Sequence, residues 1–175
     1  MKKTIYFTIT SALLRLCALG AEDQLPEPKQ IVWGKNEAAE NKAAEILAAR
    51  CYAAFWDTGD EKFVALALDS NFIDRTLPKD RKQGIEGPLE ASMAFRGAVP
   101  DLKAMIEKMI VADDHVVVHL IFEGHFTGIF NGIQGKGEPI RFIATDIYKI
   151  VEGKIIENWH IEDNLTLLQQ MGMLS

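Results

Sequence analysis

Residues 146–160 read Asp-Ile-Tyr-Lys-Ile-Val-Glu-Gly-Lys-Ile-Ile-Glu-Asn-Trp-His. Strand-forming residues on both sides of Glu152-Gly153 predict a hairpin, with strands over 139–151 and 154–162. Two registers are open to it. A two-residue loop pairs positions whose numbers sum to 305 and puts Asp146 on the same side as Trp159. A three-residue loop, with Gly153 left-handed and a bulge, gives sums of 306. Ile150 then meets Ile156, Tyr148 meets Asn158, and Asp146 faces His160. Lys149 then also faces Glu157, and opposite charges directly across a ladder contribute roughly 0.2–1 kcal/mol per pair. That pairing favours 306.

Upstream, the strand pattern continues. Residues 102–112 form one candidate strand, Asp113-Asp114 a turn, and His115 to Phe126 a long second strand. Val116, Val118, Leu120, Phe122 and Phe126 share one parity of it, so that face belongs to the core. His115, His119, Glu123 and His125 take the other parity. Strung along a strand they are too spread to converge on one ion, and an outer or dimer face is expected for them. Gly128, Gly132, Gly135 and Gly137 mark the connection to the hairpin.

Before residue 100 the period is helical. Ala39, Ala43, Ile46, Leu47, Cys51, Ala54 and Phe55 recur along a helix expected over 37–56, capped by Asn36. Gly59 breaks it, and Asp60 is placed to cap a second helix over 61–68. A short strand over 71–74, a polar loop over 75–87 and a third helix from Pro88 to Gly97 follow. A last helix is expected over 165–171. Helices first and a long antiparallel meander after define the α+β class.

The chain has 175 residues and a formal net charge of −6. One domain is expected at that length. Lys2, Lys3, the apolar run 5–14 and small residues at Ala18, Gly20 and Ala21 predict an export signal over 1–21. Its run is too short for stable membrane insertion. Removing Lys2, Lys3 and Arg15 from the 19 basic residues leaves 16 against 25 acidic ones, a mature charge of −9. A nucleic-acid partner, which needs a basic face, is therefore not expected. Export places the protein in the periplasm or outside the cell; without a signal it would be cytoplasmic. With Cys17 gone, Cys51 would be the sole cysteine and is read as core packing. Residues 22–35, with Pro26 and Pro28, read as a flexible lead-in to a domain over 36–175.

Five stretches together carry a family resemblance. They are 55–60 (Phe-Trp-Asp-Thr-Gly-Asp), the 95–102 segment ending Val-Pro-Asp-Leu, 124–133 (Gly-His-Phe-Thr-Gly-Ile-Phe-Asn-Gly-Ile), 146–159, and 167–172 (Leu-Leu-Gln-Gln-Met-Gly). In order and spacing the chain resembles SnoaL-like polyketide cyclases, of the nuclear transport factor 2-like superfamily, over about residues 43–174. The resemblance implies a cone-shaped barrel in which a curved antiparallel sheet wraps around N-terminal helices. It also implies a pocket for a small hydrophobic molecule, a homodimer formed through the sheet, and aldol ring closure without metal or cofactor. Phe126 stands where the pattern often has His, and 134–136 (Gln-Gly-Lys) departs from it as well.

In the 306 register the Asp146 and His160 β-carbons lie roughly 4.5–5.5 Å apart. A carboxylate there can orient an imidazole, and His160 could remove a proton next to a carbonyl. The family places an acid–base Asp and His on these two strands; here the pair is exchanged. Such a pair can equally be a satisfied structural contact. Tyr148 and Asn158 share this face and are candidates to bind an enolate oxygen. Asp74 falls near a polar pocket position of the family. Arg75 beside it could pair with an acidic substrate group. Trp56, Phe95 and Phe122 complete the expected substrate-binding set.

Overall fold

The computed structural model describes residues 25–35, 37 and 42–174. The expected signal at 1–21 and the expected cap Asn36 lie outside the described residues. A six-stranded curved sheet carries the fold, in the order β1-β3-β4-β7-β8-β2. Its strands are β1 (Ile31–Trp33), β2 (Leu68–Asp74), β3 (Lys103–Ala112), β4 (His115–Phe126), β7 (Glu138–Val151) and β8 (Lys154–Glu162). The β5 (Ile129–Phe130) and β6 (Ile133–Gln134) pair is a small hairpin inside the glycine-rich connection. Helix α1 (Ala43–Thr58) lies against β3, β4, β7 and β8, α2 (Glu61–Ala67) packs on α1, and α4 (Asn164–Gln170) on β7. Helix α3 (Glu86–Ala98) stands beside the small hairpin. The expected α+β cone is therefore present, but the sheet does not close into a barrel. Its edges, β1 and β2, are held by parallel rather than antiparallel ladders.

Local chemistry sets the helix ends. Gly59 closes α1 with φ at 75° and its N–H on Phe55 O, a left-handed cap that glycine adopts without a Cβ penalty. Asp60 then accepts the Lys62 N–H at 3.0 Å as the α2 cap. Helix α1 starts later than the periodicity predicts. Glu37 is outside it, its N–H donating to Gly34 O and its carboxylate accepting from Asp113 N–H at the β3–β4 turn.

The lead-in expected over 22–35 is not loose where it is described. Leu25 is buried, β1 pairs in parallel with β3, and Arg50 donates to Pro26 O and Leu25 O. Three residues carry no periodicity of their own, and only the β3 ladder makes them a strand.

Strand β7 alternates strictly. Ile140, Phe142, Ala144, Asp146, Tyr148 and Ile150 face inward, with their neighbours outward. The β7–β8 ladder pairs Asp146 with His160, Tyr148 with Asn158, Ile147 with Trp159 and Lys149 with Glu157, the 306 register. The turn is different. Glu152 (φ 51°) and Gly153 (φ 73°) form a two-residue loop, the left-handed pair that suits a tight hairpin. Ile150 therefore meets Ile155, and a bulge beyond it restores the 306 pairing.

Candidate functional site

A cavity of ≈ 310 Å³ opens between α1, α3 and the inner face of β4, β7 and β8. Its walls are aromatic. Phe122 and Phe142 are cross-strand partners whose rings stack at 5.1 Å, and Phe142 meets Phe95 of α3 edge-on at 5.8 Å. Phe130 of the small hairpin adds an edge to Phe95 at 6.0 Å. Tyr52 and Trp56, one helical turn apart on α1, close another side at 6.0 Å. Inward parity on the strands and i, i+4 spacing on the helix bring these rings together.

The polar end is built on β2, β7 and β8. Asp146 is 6% exposed, and its Oδ1 accepts from Asn158 Nδ2 at 2.8 Å. Burial drives its pKa up to about 7, against the opposing pull of the Asn158 bond and the His160 charge. His160 is its register partner but does not bond to it. The imidazole is held at both ends, Nε2 by Asp74 Oδ2 at 3.1 Å and Nδ1 by Glu162 Oε1 at 2.7 Å. Two carboxylates can be satisfied only by a ring that donates twice, which is the imidazolium. Burial would lower its pKa, but Glu162 and Asp74 outweigh burial and raise it to about 9. Burial likewise pushes the Glu162 carboxyl up, and the His160 bond overcomes it, leaving that group below its ordinary value. Tyr52 goes well above the ordinary phenol value, first by burial and then by the Asp146 charge. It stays a hydroxyl donor throughout the physiological range.

Strand β2 delivers Asp74. Its Cα pairs with Asn158 in the parallel ladder, and the chain then stays on β8, with Arg75 N–H on Asn158 O and His160 N–H on Thr76 Oγ1 at 2.8 Å each. The second Asp74 oxygen accepts the Thr76 N–H at 2.9 Å. Gln83 clamps the loop that follows by bonding both the Asp74 N–H and its carbonyl, at 2.7 and 2.9 Å.

Of the residues predicted from sequence, Asp146, His160, Asp74, Asn158, Trp56, Phe95 and Phe122 line the cavity. Two do not. Tyr148 is fully buried behind the wall against Tyr52, and its hydroxyl has no partner among the described residues. Arg75 is the first residue of the turn after β2, and it pairs with Glu157 on the outer side. Sequence reasoning missed Tyr52, Phe72, Arg81, Phe130, Phe142 and Glu162. Glu162 was within reach, since it shares His160's parity two residues on, and Tyr52 lies one helical turn before Trp56. Nothing in the loop sequence marks Arg81. On the outer face, His119 pairs with Thr145, His115 with Asp114 and His125 with Asp101, each separately.

An open cone of strands around helices, with an aromatic cavity floored by titratable groups, defines a nuclear transport factor 2-like pocket protein. The chain belongs to the SnoaL-like polyketide cyclase family, whose model matches residues 46–171. A presumed polyketide cyclase from Bacillus cereus ATCC 10987 is 38% identical, with a TM-score of 0.78 over 87% of this chain and 96% of that one. TsrD from Streptomyces laurentii is 25% identical, with a TM-score of 0.69 over 76% and 98%. IdmH from Streptomyces antibioticus, another presumed polyketide cyclase, shares the fold at 20% identity and a TM-score of 0.64 over 71% and 96%. No curated protein matches the chain. Among the described residues, no helix is long and apolar enough to cross a membrane.

Proposed function

We propose that the protein is an acid–base catalyst acting on a small apolar carbonyl compound, by aldol ring closure or isomerisation, with Asp146 as the base. The observation that carries this is a carboxyl with a pKa of about 7, buried at the polar end of an aromatic cavity. A base poised near the working pH combines a useful ionised fraction with a useful proton affinity. Oδ1 is taken by Asn158, and Oδ2 has no hydrogen-bond partner among the described residues.

The roles of the pair are thereby reversed from the sequence reading. His160 has no lone pair to offer while both nitrogens donate to carboxylates. It acts instead as a fixed positive charge beside Asp146. In the proposed cycle Asp146 takes a proton from the carbon next to the carbonyl. Tyr52 donates its hydroxyl hydrogen bond to the enolate oxygen, which the His160 charge also favours. The enolate carbon attacks a second carbonyl in the same molecule, or is reprotonated elsewhere for isomerisation, and Asp146 returns the proton.

A nitrobenzisoxazole tests the base directly, because loss of its carbon-bound proton opens the ring to a coloured phenolate. Wild-type protein is expected to turn it over with a rate that rises through about pH 7. Asp146→Asn is expected to lose at least about a hundredfold, the lower end of what a positioned base contributes. Turnover equal in the two proteins overturns the assignment. Tight binding of an apolar ligand without any turnover favours the second reading, a non-catalytic small-molecule binding protein, which the aromatic cavity also fits.

The proposal includes a homodimer through the outer sheet face. Ile110, Ile143, Ile147 and Ile161 are exposed there, alongside the half-buried Trp159. It also retains export by residues 1–21, which N-terminal sequencing of the protein from its native host would check.

A further inference from the structure

Arg81 lies on the loop 75–85 between β2 and α3 and lines the cavity. The other charged cavity groups are engaged. His160 serves Asp74 and Glu162, Thr76 donates to Asp74, and Asn158 donates to Asp146. Arg81 is different. It is half-buried, and among the described residues its guanidinium has neither a hydrogen bond nor a carboxylate at ion-pair distance. Its charge still points inward, since it pulls down both the Glu162 carboxyl at the end of β8 and the Tyr52 hydroxyl on α1. The loop holds it there. Gln83 ties the loop to Asp74, Arg81 N–H donates to Pro78 O, and Lys82 turns outward to Glu86 and Glu90 of α3 at 3.1 and 2.7 Å.

We propose that Arg81 binds a carboxylate carried on an apolar, largely aromatic substrate. The inference rests on the reading above that the cavity is the substrate site, and it names the substrate class. The distribution of partners, rather than the net charge, supports it. His160 is shared by Asp74 and Glu162, and Asp146 is mostly neutral below its pKa of about 7. With Arg81 included, two cations face two anions, yet among the described residues both ion pairs go to His160 and none to Arg81. A neutral ligand would desolvate the guanidinium further and give it no acceptor, which is costly. A carboxylate matches the planar fork bidentately, a strong pairing in a partly desolvated place. Phe72, Phe122 and Phe142 supply a wall for an aromatic body. The sequence reading assigned this duty to Arg75, which instead pairs with Glu157 on the outer side.

The test is calorimetric titration at pH 6 with naphthoate and with its methyl ester, which differ in charge but little in shape. Wild-type protein is expected to bind naphthoate about tenfold or more tighter than the ester, a factor worth about 1.4 kcal/mol. Arg81→Gln is expected to abolish the preference while still binding the ester, and Arg81→Lys to retain part of it. An ester bound as tightly as the acid, no binding of naphthoate, or a preference that survives Arg81→Gln each overturns the assignment. Equal loss of both ligands in Arg81→Gln also overturns it, because it marks a merely structural role. The neutral nitrobenzisoxazole reports on Asp146 independently. Turnover without the carboxylate preference removes Arg81 and leaves the catalytic reading. The preference without turnover does the reverse.

Discussion

Asp146→Asn should make the protein more stable at alkaline pH while destroying its activity. The native carboxyl titrates at about 7 instead of 3.8 because it is buried. The native state therefore holds a proton that the unfolded chain gives up. The sign follows from linkage: stability linked to this group is full below 3.8 and is lost as pH climbs through about 7. At 1.36 kcal/mol per pH unit the whole loss is about 4 kcal/mol. About a third of it has gone by pH 5, so about 3 kcal/mol remains to appear between pH 5 and 8.5. Asparagine has the same shape, can still accept from Asn158 Nδ2, and never ionises. Urea unfolding of both proteins at pH 5 and 8.5 gives the difference between them. It should shift in favour of the variant by about 3 kcal/mol at the higher pH, equivalent to roughly 6–12 °C in Tm for a chain of this size. His160 titrates in both proteins and largely cancels in the difference. Parallel stability curves for the two proteins, or a variant that is weaker at pH 8.5, would refute the idea of a strained, buried base at this position.

His160→Gln removes the one cation that Asp74 and Glu162 both bond to among the described residues. A loss of about 3 kcal/mol is expected, at the low end for a broken buried ion pair because the Glu162 side chain is 33% exposed. His160 is raised from 6.5 to about 9, so its contribution is full below 6.5 and lost as pH rises through 9. The variant's deficit, measured by urea unfolding, should therefore be larger at pH 6 than at pH 10; a deficit independent of pH would remove the imidazolium. For the dimer, Ile147→Asp puts a charge at the centre of the outer sheet face, where Ile147 is 40% exposed between Val117 and Trp159. Sedimentation should find wild-type dimers and variant monomers with unchanged circular dichroism, and a dimeric variant would place the interface elsewhere.

Legibility from the sequence followed the range of the interactions. Helix ends rest on neighbours in the chain, so Gly59 and Asp60 were read correctly. The inward set on β7 and the facing of Asp146 and His160 follow from period-two alternation and a short hairpin, and both were legible. The turn itself was not. One bulge of the right sign can sit in the loop or a few residues along the ladder, and both give 306 at the site; the strand pattern does not distinguish them. Strand β1 has three residues, and its β3 partners lie 78 positions away in the register, too far for any local signal. Arg81 and Arg75 are both arginines near β2, and only the path of the loop decides which one enters the cavity.

The harder lesson concerns His160. Pairing strands locates Cα atoms, but chemistry depends on which lone pairs remain. Asp146 and His160 face each other as the register requires, yet Asp146 turns to Asn158 and the imidazole to Asp74 and Glu162. Asp74 lies 86 residues earlier and arrives by a parallel edge strand, so no hairpin argument could have supplied it. Once it arrives the assignment follows by counting. An imidazole donating at both ends is a cation and accepts nothing, whereas a carboxylate with one oxygen bonded still has the other. The two acidic neighbours that take basicity from His160 also make it a fixed charge, which together with the stronger pull of the Asn158 bond holds Asp146 near 7 against burial. The base is useful at neutral pH because the histidine is not one.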